Sequence, residues 1–158
     1  MGKSLVAYFS ASGVTAALSK KLADAIGADL YEIEPAQAYT NADLNWMDKK
    51  SRSSVEMNNR NSRPAIASKV DNMEQYSTVF VGFPIWWYRE PSIIDTFLEA
   101  YDFAGKTIVP FATSGGSGMG DSSNIMQSLA QDAKVVEGKR FSRSASENEL
   151  KKWAEEWI

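Results

Sequence analysis

The chain has 158 residues, a net charge of −3, 44% hydrophobic and 23% charged residues, and neither cysteine nor histidine. That length suits one domain, residues 1–158, with a core of its own. The composition excludes disulfides, a thiolate nucleophile, a histidine general base and any metal site built on Cys or His, and the weak negative charge argues against a nucleic-acid partner. No apolar run approaches the ~18 residues of a membrane span. A soluble, cytoplasmic protein with no membrane partner is therefore expected. No constellation of residues for a metal is evident.

Leu5 to Phe9 is continuously apolar and β-prone, the pattern of a strand buried on both faces. Val14, Leu18, Leu22 and Ile26 then recur at helical spacing, and Gly27 closes that helix. Leu30 to Ile33 reads as a second strand, stopped by Pro35. Residues 36–76 are the least regular stretch. A helix is expected over Asp43 to Val55, a loop over Val55 to Pro64, and a short helix over Val70 to Tyr76. Within this insertion, Met57, Asn58 and Arg60 are expected to pack beside the functional site; closing over it or binding a second substrate are the alternatives.

Thr78 to Phe83 is the strongest strand, ended by Pro84. Pro91 opens a helix over Ser92 to Tyr101. Thr107 to Ala112 is a further strand, and a helix is expected from about Ser122 to Asp132. Val135-Val136 and Lys139 to Phe141 read as a last, edge-like strand. Ser146 with Glu149 forms a capping box before a final helix bearing Leu150, Trp153 and Trp157. Asp95, Glu99 and Asp121 read as helix-surface or cap residues. The alternation of strands and helices predicts a three-layer α/β sandwich. Its five-stranded parallel sheet takes the order 2-1-3-4-5, with helices on both faces.

Ligands of such sheets bind beyond the carboxyl ends of the strands, where the strand order reverses. The loops after Phe9, Phe83 and Ala112 meet there. The first, Ser10-Ala11-Ser12-Gly13-Val14-Thr15, opens a helix with hydroxyls, a glycine and no charge. Amides at a helix start and nearby hydroxyls suit a phosphate, although a plain Ser cap with a turn glycine would look the same. The loop is neither a Walker A motif nor a three-glycine dinucleotide motif. The second, Pro84-Ile85-Trp86-Trp87-Tyr88, offers a flat aromatic surface, and Arg89 follows it. The third, Thr113-Ser114-Gly115-Gly116-Ser117-Gly118, exposes backbone rather than side chain. Together they describe a site for a flat heteroaromatic phosphate, and FMN meets all three requirements.

At these residues the sequence resembles the flavodoxin-like family. Ser10, Ser12, Gly13 and Thr15 stand at the positions of its phosphate loop, with Ser12 where Thr is commoner. Gly82 to Tyr88, Phe103 to Ala112 and Phe111 to Gly118 are similar to a bacterial branch of that family, and the likeness spans nearly the whole chain. The resemblance implies a flavodoxin-like fold and one non-covalent FMN. Ser10, Ser12, Gly13, Val14 and Thr15 would hold the phosphate. Pro84, Ile85, Trp86, Trp87 and Tyr88 would line the isoalloxazine ring. Thr113, Ser114, Gly115, Gly116, Ser117 and Gly118 would edge its pyrimidine side.

No residue is assigned as catalytic, because the flavin carries the chemistry. The expected function is electron transfer, with a redox partner protein or a small electron acceptor. An NAD(P)H-dependent quinone reductase is the alternative, and a flavin-free binding module is the alternative from another class. A charge of −3 is modest beside strongly acidic flavodoxin carriers. The third loop carries no aromatic, which would leave one ring face open. A low reduction potential is expected unless Arg89 reaches the ring. A related phosphatase would need a cysteine in the first loop, and a phospho-acceptor receiver would need acids after the first strand. Neither is present.

Overall fold

The computed structural model describes residues 3–11, 13–86, 89–113 and 118–158. Its elements run β1 (Lys3–Tyr8), α1 (Val14–Ile26), β2 (Asp29–Glu32), α2 (Arg52–Asn58), β3 (Tyr76–Pro84), α3 (Ser92–Ala100), β4 (Thr107–Thr113), α4 (Ser122–Leu129), β5 (Lys134–Val135), β6 (Lys139–Phe141) and α5 (Glu147–Ala154). All strand pairs are parallel, and the sheet order is β2-β1-β3-β4-β5, with β6 also on β4.

The strands are apolar throughout because each face is covered. Leu5, Ala7, Val79, Val81 and Ile108 pack with Ile94 and Phe97 of α3 and Met126 of α4. Val6, Phe80, Val109 and Phe111 pack on the other face with Leu18 and Leu22 of α1 and Leu150 and Ala154 of α5. Consecutive residues thus feed opposite layers, and the three-layer sandwich follows. Full burial of a leucine such as Leu22 contributes about 2 kcal/mol. Trp153 and Trp157 belong to this second layer, their rings 5.3 Å apart, whereas Trp46 is 70% exposed.

Two expectations change. The fifth position of the sheet is occupied by two short strands rather than one. Pro110 is the reason: β5 pairs with Thr107 and Ile108, β6 pairs with Phe111 to Thr113, and the interruption falls opposite the residue that has no N–H to donate. Gly138 crosses this interruption so closely that a Cβ there would lie 2.5 Å from the Pro110 carbonyl oxygen.

The insertion also differs. Its helix is α2, Arg52–Asn58, not a helix from Asp43. Residues 41–50 form turns because their polar side chains bond nearby backbone. Thr40 and Asp43 exchange side-chain to backbone bonds, Met47 N–H donates to Asn45, and Lys50 N–H donates to Asp48. Ser51 then caps α2 by accepting from Ser54 N–H at 3.3 Å. The short helix expected over Val70 to Tyr76 shrinks to one 3-10 turn at Met73–Gln75, and Tyr76 already begins β3. Among the described residues no helix is long and apolar enough to cross a membrane.

Candidate functional site

Tyr8, Gly82 and Phe111 lie abreast in adjacent strands, and Pro84 pairs with Thr113 two residues further on. The three loops singled out by sequence therefore leave the same edge of the sheet. Ser12, Trp87, Tyr88, Ser114, Gly115, Gly116 and Ser117 lie outside the described residues. The remaining positions define the site.

The first loop turns on Gly13, whose φ of 92° is a left-handed conformation that L side chains rarely adopt. Gly13 N–H donates to Ser10 Oγ at 3.0 Å, which leaves the Ser10 hydroxyl proton for another acceptor. The first bond of α1 runs from Ala17 N–H to the Gly13 carbonyl at 3.1 Å. The amides of Val14, Thr15 and Ala16 therefore stand ahead of the helical ladder. No side chain caps this end and no acid lies in the first turn. The positive end of the helix is left for an anion. Thr15 already has a protein partner, however. It is buried, and its Oγ1 lies 2.7 Å from Thr113 Oγ1, also buried, at the end of β4.

The second loop is tied to the third, because Ile85 N–H donates to the Thr113 carbonyl at 3.1 Å. Trp86 and Arg89 bridge each other through two backbone bonds of 3.0 and 3.1 Å. Trp86 is half-buried and meets two other rings edge-on: Phe9 at 5.7 Å and Tyr39 at 5.6 Å. Phe9 and Tyr39 complete the triangle at 5.6 Å. The aromatic wall is thus built from the residue that follows β1, the insertion and the loop after β3.

Tyr39 was not legible as a wall residue. Its hydroxyl donates to Glu56 at 2.5 Å, and the Arg52 guanidinium lies 3.8 Å above its ring. Arg52 and Glu56 pair at 3.0 Å across one turn of α2. The spacing of these two residues was the one local sign that α2 presents a charged face. Burial, then the Glu56 carboxylate, pushes the Tyr39 hydroxyl well above the ordinary tyrosine range, so it stays a neutral donor. Met57 is buried on the inner face of α2, whereas Asn58 and Arg60 are exposed.

Arg89 does not extend outward. It is buried, and its guanidinium is occupied by Glu90 at 3.4 Å, Asp95 at 3.3 Å and Ser92 at 3.4 Å. Asp95, expected on the helix surface, is buried as well, drawn in by this cation. Glu90 has no exposed surface. Burial first, and then the neighbouring Asp95 carboxylate, push its carboxyl up to about 10, against the smaller opposing effect of Arg89. Holding Glu90 neutral avoids burying a further carboxylate charge beside the single Arg89, the cheaper state in a poorly solvated place. Glu90 Oε2 can still accept from Arg89 as the carbonyl oxygen of the acid.

The third loop begins at buried Thr113 and re-emerges at exposed Gly118. Among the described residues, no cluster of acidic side chains is arranged to hold a metal ion. What the edge offers is an anion seat of amides and hydroxyls, flanked by an aromatic wall.

A search of curated proteins found no match. Among solved structures, the chain is similar to a candidate flavoprotein from Bacteroides eggerthii, with 49% identity, 99% of this chain and 98% of that chain covered, and a TM-score of 0.93. A second candidate flavoprotein, from Bacteroides uniformis, is 48% identical over 98% of each chain, with a TM-score of 0.92. A flavoprotein solved in complex with FMN, from Lactobacillus acidophilus, shares the fold at 21% identity, with 98% of this chain and 99% of that chain covered and a TM-score of 0.75. The family model described as Flavodoxin matches residues 3–157, and the chain therefore belongs to the flavodoxin family.

Proposed function

We propose that the three-loop edge binds one FMN non-covalently and that the protein transfers electrons through it. The start of α1 carries this reading. It is an uncapped, acid-free helix end at the reversal point of the sheet, with Ser10 and Thr15 hydroxyls beside it. Family membership and the FMN complex of the Lactobacillus acidophilus relative support the same ligand here.

Ser10, Ser12, Gly13, Val14 and Thr15 are assigned to the phosphate. The segments Pro84–Tyr88 and Thr113–Gly118 are assigned to the ring and its polar edge. Bound flavin supplies the redox chemistry, and the chain supplies binding, orientation and electrostatics. The first loop contributes no cation. Arg89, the nearest cation in sequence to the aromatic segment, is committed to its buried carboxyl neighbours. Added negative charge on the ring is therefore poorly compensated, and a reduction potential below that of free FMN is expected. A redox titration giving a value well above free FMN would overturn this electrostatic assignment.

The electron partner is a redox protein or a small acceptor. Residues 113–118 bring no aromatic side chain over the ring, which favours approach of a small acceptor or an NAD(P)H donor. NADPH oxidation in the presence of a quinone distinguishes a reductase from a carrier. The cofactor assignment is tested by the spectrum of the purified protein and by FMN titration. Thr15→Ala and Trp86→Ala are each expected to weaken FMN by roughly tenfold or more, as for a hydrogen bond to a charged group or a lost aromatic contact. Unchanged affinity in both, or a colourless protein indifferent to added FMN, removes the reading.

A further inference from the structure

Thr113 occupies a position in the site that its place in the third loop does not suggest. It ends β4, a strand held on both sides, so its backbone is fixed. Its hydroxyl lies 2.7 Å from that of Thr15, 98 residues away in sequence and in the first turn of α1. Its carbonyl accepts from Ile85 N–H at 3.1 Å, which anchors the aromatic segment. One residue thus holds the first loop by its side chain, holds the second by its backbone, and begins the third.

The hydroxyl pair has a chemical asymmetry. Each oxygen carries one proton, and only one of the two can lie between them. Thr15 and Thr113 are 2% and 5% exposed, so neither can readily satisfy itself with bulk water. Among the described residues, Thr15 Oγ1 has no other hydrogen-bond partner. With no anion present, either hydroxyl can donate. With an anion at the start of α1, the Thr15 proton turns to the anion, and Thr15 must then accept from Thr113. Anion binding therefore selects one of two proton arrangements and fixes the Thr113 side chain.

Resting on the FMN reading above, we propose that Thr113 is the positioning residue through which this site reads the phosphate. It aims the Thr15 hydroxyl at the phosphate and transmits phosphate occupancy to the loops around the ring, so that FMN is selected over riboflavin. The phosphate and ring subsites are consequently coupled, each strengthening the other's ligand, as linkage requires.

The experiment measures FMN and riboflavin affinities of the full chain by flavin fluorescence, for the wild type, Thr113→Val and Thr113→Ser. Thr113→Val keeps the shape and removes the hydroxyl; Thr113→Ser keeps the hydroxyl. The proposal expects Thr113→Val to weaken FMN by roughly tenfold, the loss of one hydrogen bond in a charged network, and to weaken riboflavin distinctly less. Thr113→Ser should retain most of the preference for FMN. Inorganic phosphate should raise the riboflavin affinity of the wild type and leave that of Thr113→Val unaltered. Equal weakening of FMN and riboflavin would mean that Thr113 only packs the edge, and would overturn the proposal. An unchanged FMN affinity in Thr113→Val overturns it too. If Thr113→Val does not fold, the wild-type experiment decides: riboflavin affinity indifferent to phosphate sinks the coupling. A wild type that binds neither flavin removes the FMN reading itself, whereas a wild type that binds FMN with no Thr113 effect removes only this inference.

Discussion

Helices α1 and α5 lie side by side on the same face of the sheet, yet they begin in opposite ways. At α5, Ser146 Oγ accepts from Glu149 N–H at 3.1 Å, Glu147 and Glu149 stand in the first turn, and Lys151 and Lys152 stand in the last. The cap and the charges at both ends follow the local rules for stabilising a helix start and its dipole. At α1 these are missing: Gly13 offers no side chain, the first turn carries no acid, and the last turn carries no base, although Gly27 closes the other end in a left-handed cap. Both helices are anchored by buried leucines, so the difference does not lie in packing. A helix start stripped of its own cap and countercharge is suited to receive them from outside. Helix α3 stands between the two. It keeps an acid in its first turn, Asp95, but buries it against Arg89 beside a protonated Glu90.

The most disruptive test gives α1 the start that α5 has. Ala16→Glu places a carboxylate at the position that Glu149 occupies in α5. FMN affinity should fall by about a hundredfold or more, since like charges at contact in a partly buried site cost several kcal/mol. The flavin-free protein should hold or gain up to about 1 kcal/mol of stability from the dipole. Flavin titration and thermal unfolding of the same sample read both effects. An FMN affinity equal to the wild type would mean that the α1 start does not face the phosphate.

The next test concerns the buried acid beside α3. Glu90 holds its proton up to about 10 in the folded state, against an ordinary value of 4.5. Between those values the folded protein keeps a proton that the unfolded chain releases. Stability contributed by this proton is complete at acidic pH and is lost as pH rises through the window, with a slope of at most about 1.4 kcal/mol per pH unit. Glu90→Gln removes the titrating group and should flatten the decline. Denaturant unfolding from about pH 6 to pH 9 measures it. An unaltered slope would show that Glu90 is ionised in the fold.

The smallest expected effect is at α5 itself. Ser146→Ala should lower stability by about 1 kcal/mol, the usual worth of a cap, and leave FMN affinity where it was. A change in FMN binding would mean that the two helix starts are not independent.

The parts of this molecule that could be read from sequence are those governed by periodicity. The run Leu5 to Phe9, the stripe of Leu18 and Leu22 and the capping box at Ser146 each carry their structural consequence within a few residues. Once the strand order is inferred, the meeting of the loops after Phe9, Phe83 and Ala112 follows from topology. The insertion was less legible, because Asp43, Asn45 and Asp48 compete for their own backbone and defeat the helical pattern. The split of the fifth strand depends on Pro110 standing in the neighbouring strand, which no reading of residues 134–141 alone contains.

Sequence alone therefore determined the layers, the strand order and the three segments that form the site, since hydrophobic period and turn chemistry are local properties. Tertiary structure decided which partners the polar groups in and around the site take. It turned Arg89 inward to Asp95, brought Tyr39 against Trp86, and set Thr15 on Thr113. The physical reason is burial. A hydroxyl or charge removed from water must find a partner, and the nearest partner in space is separated in sequence by whatever length of chain the fold happens to close.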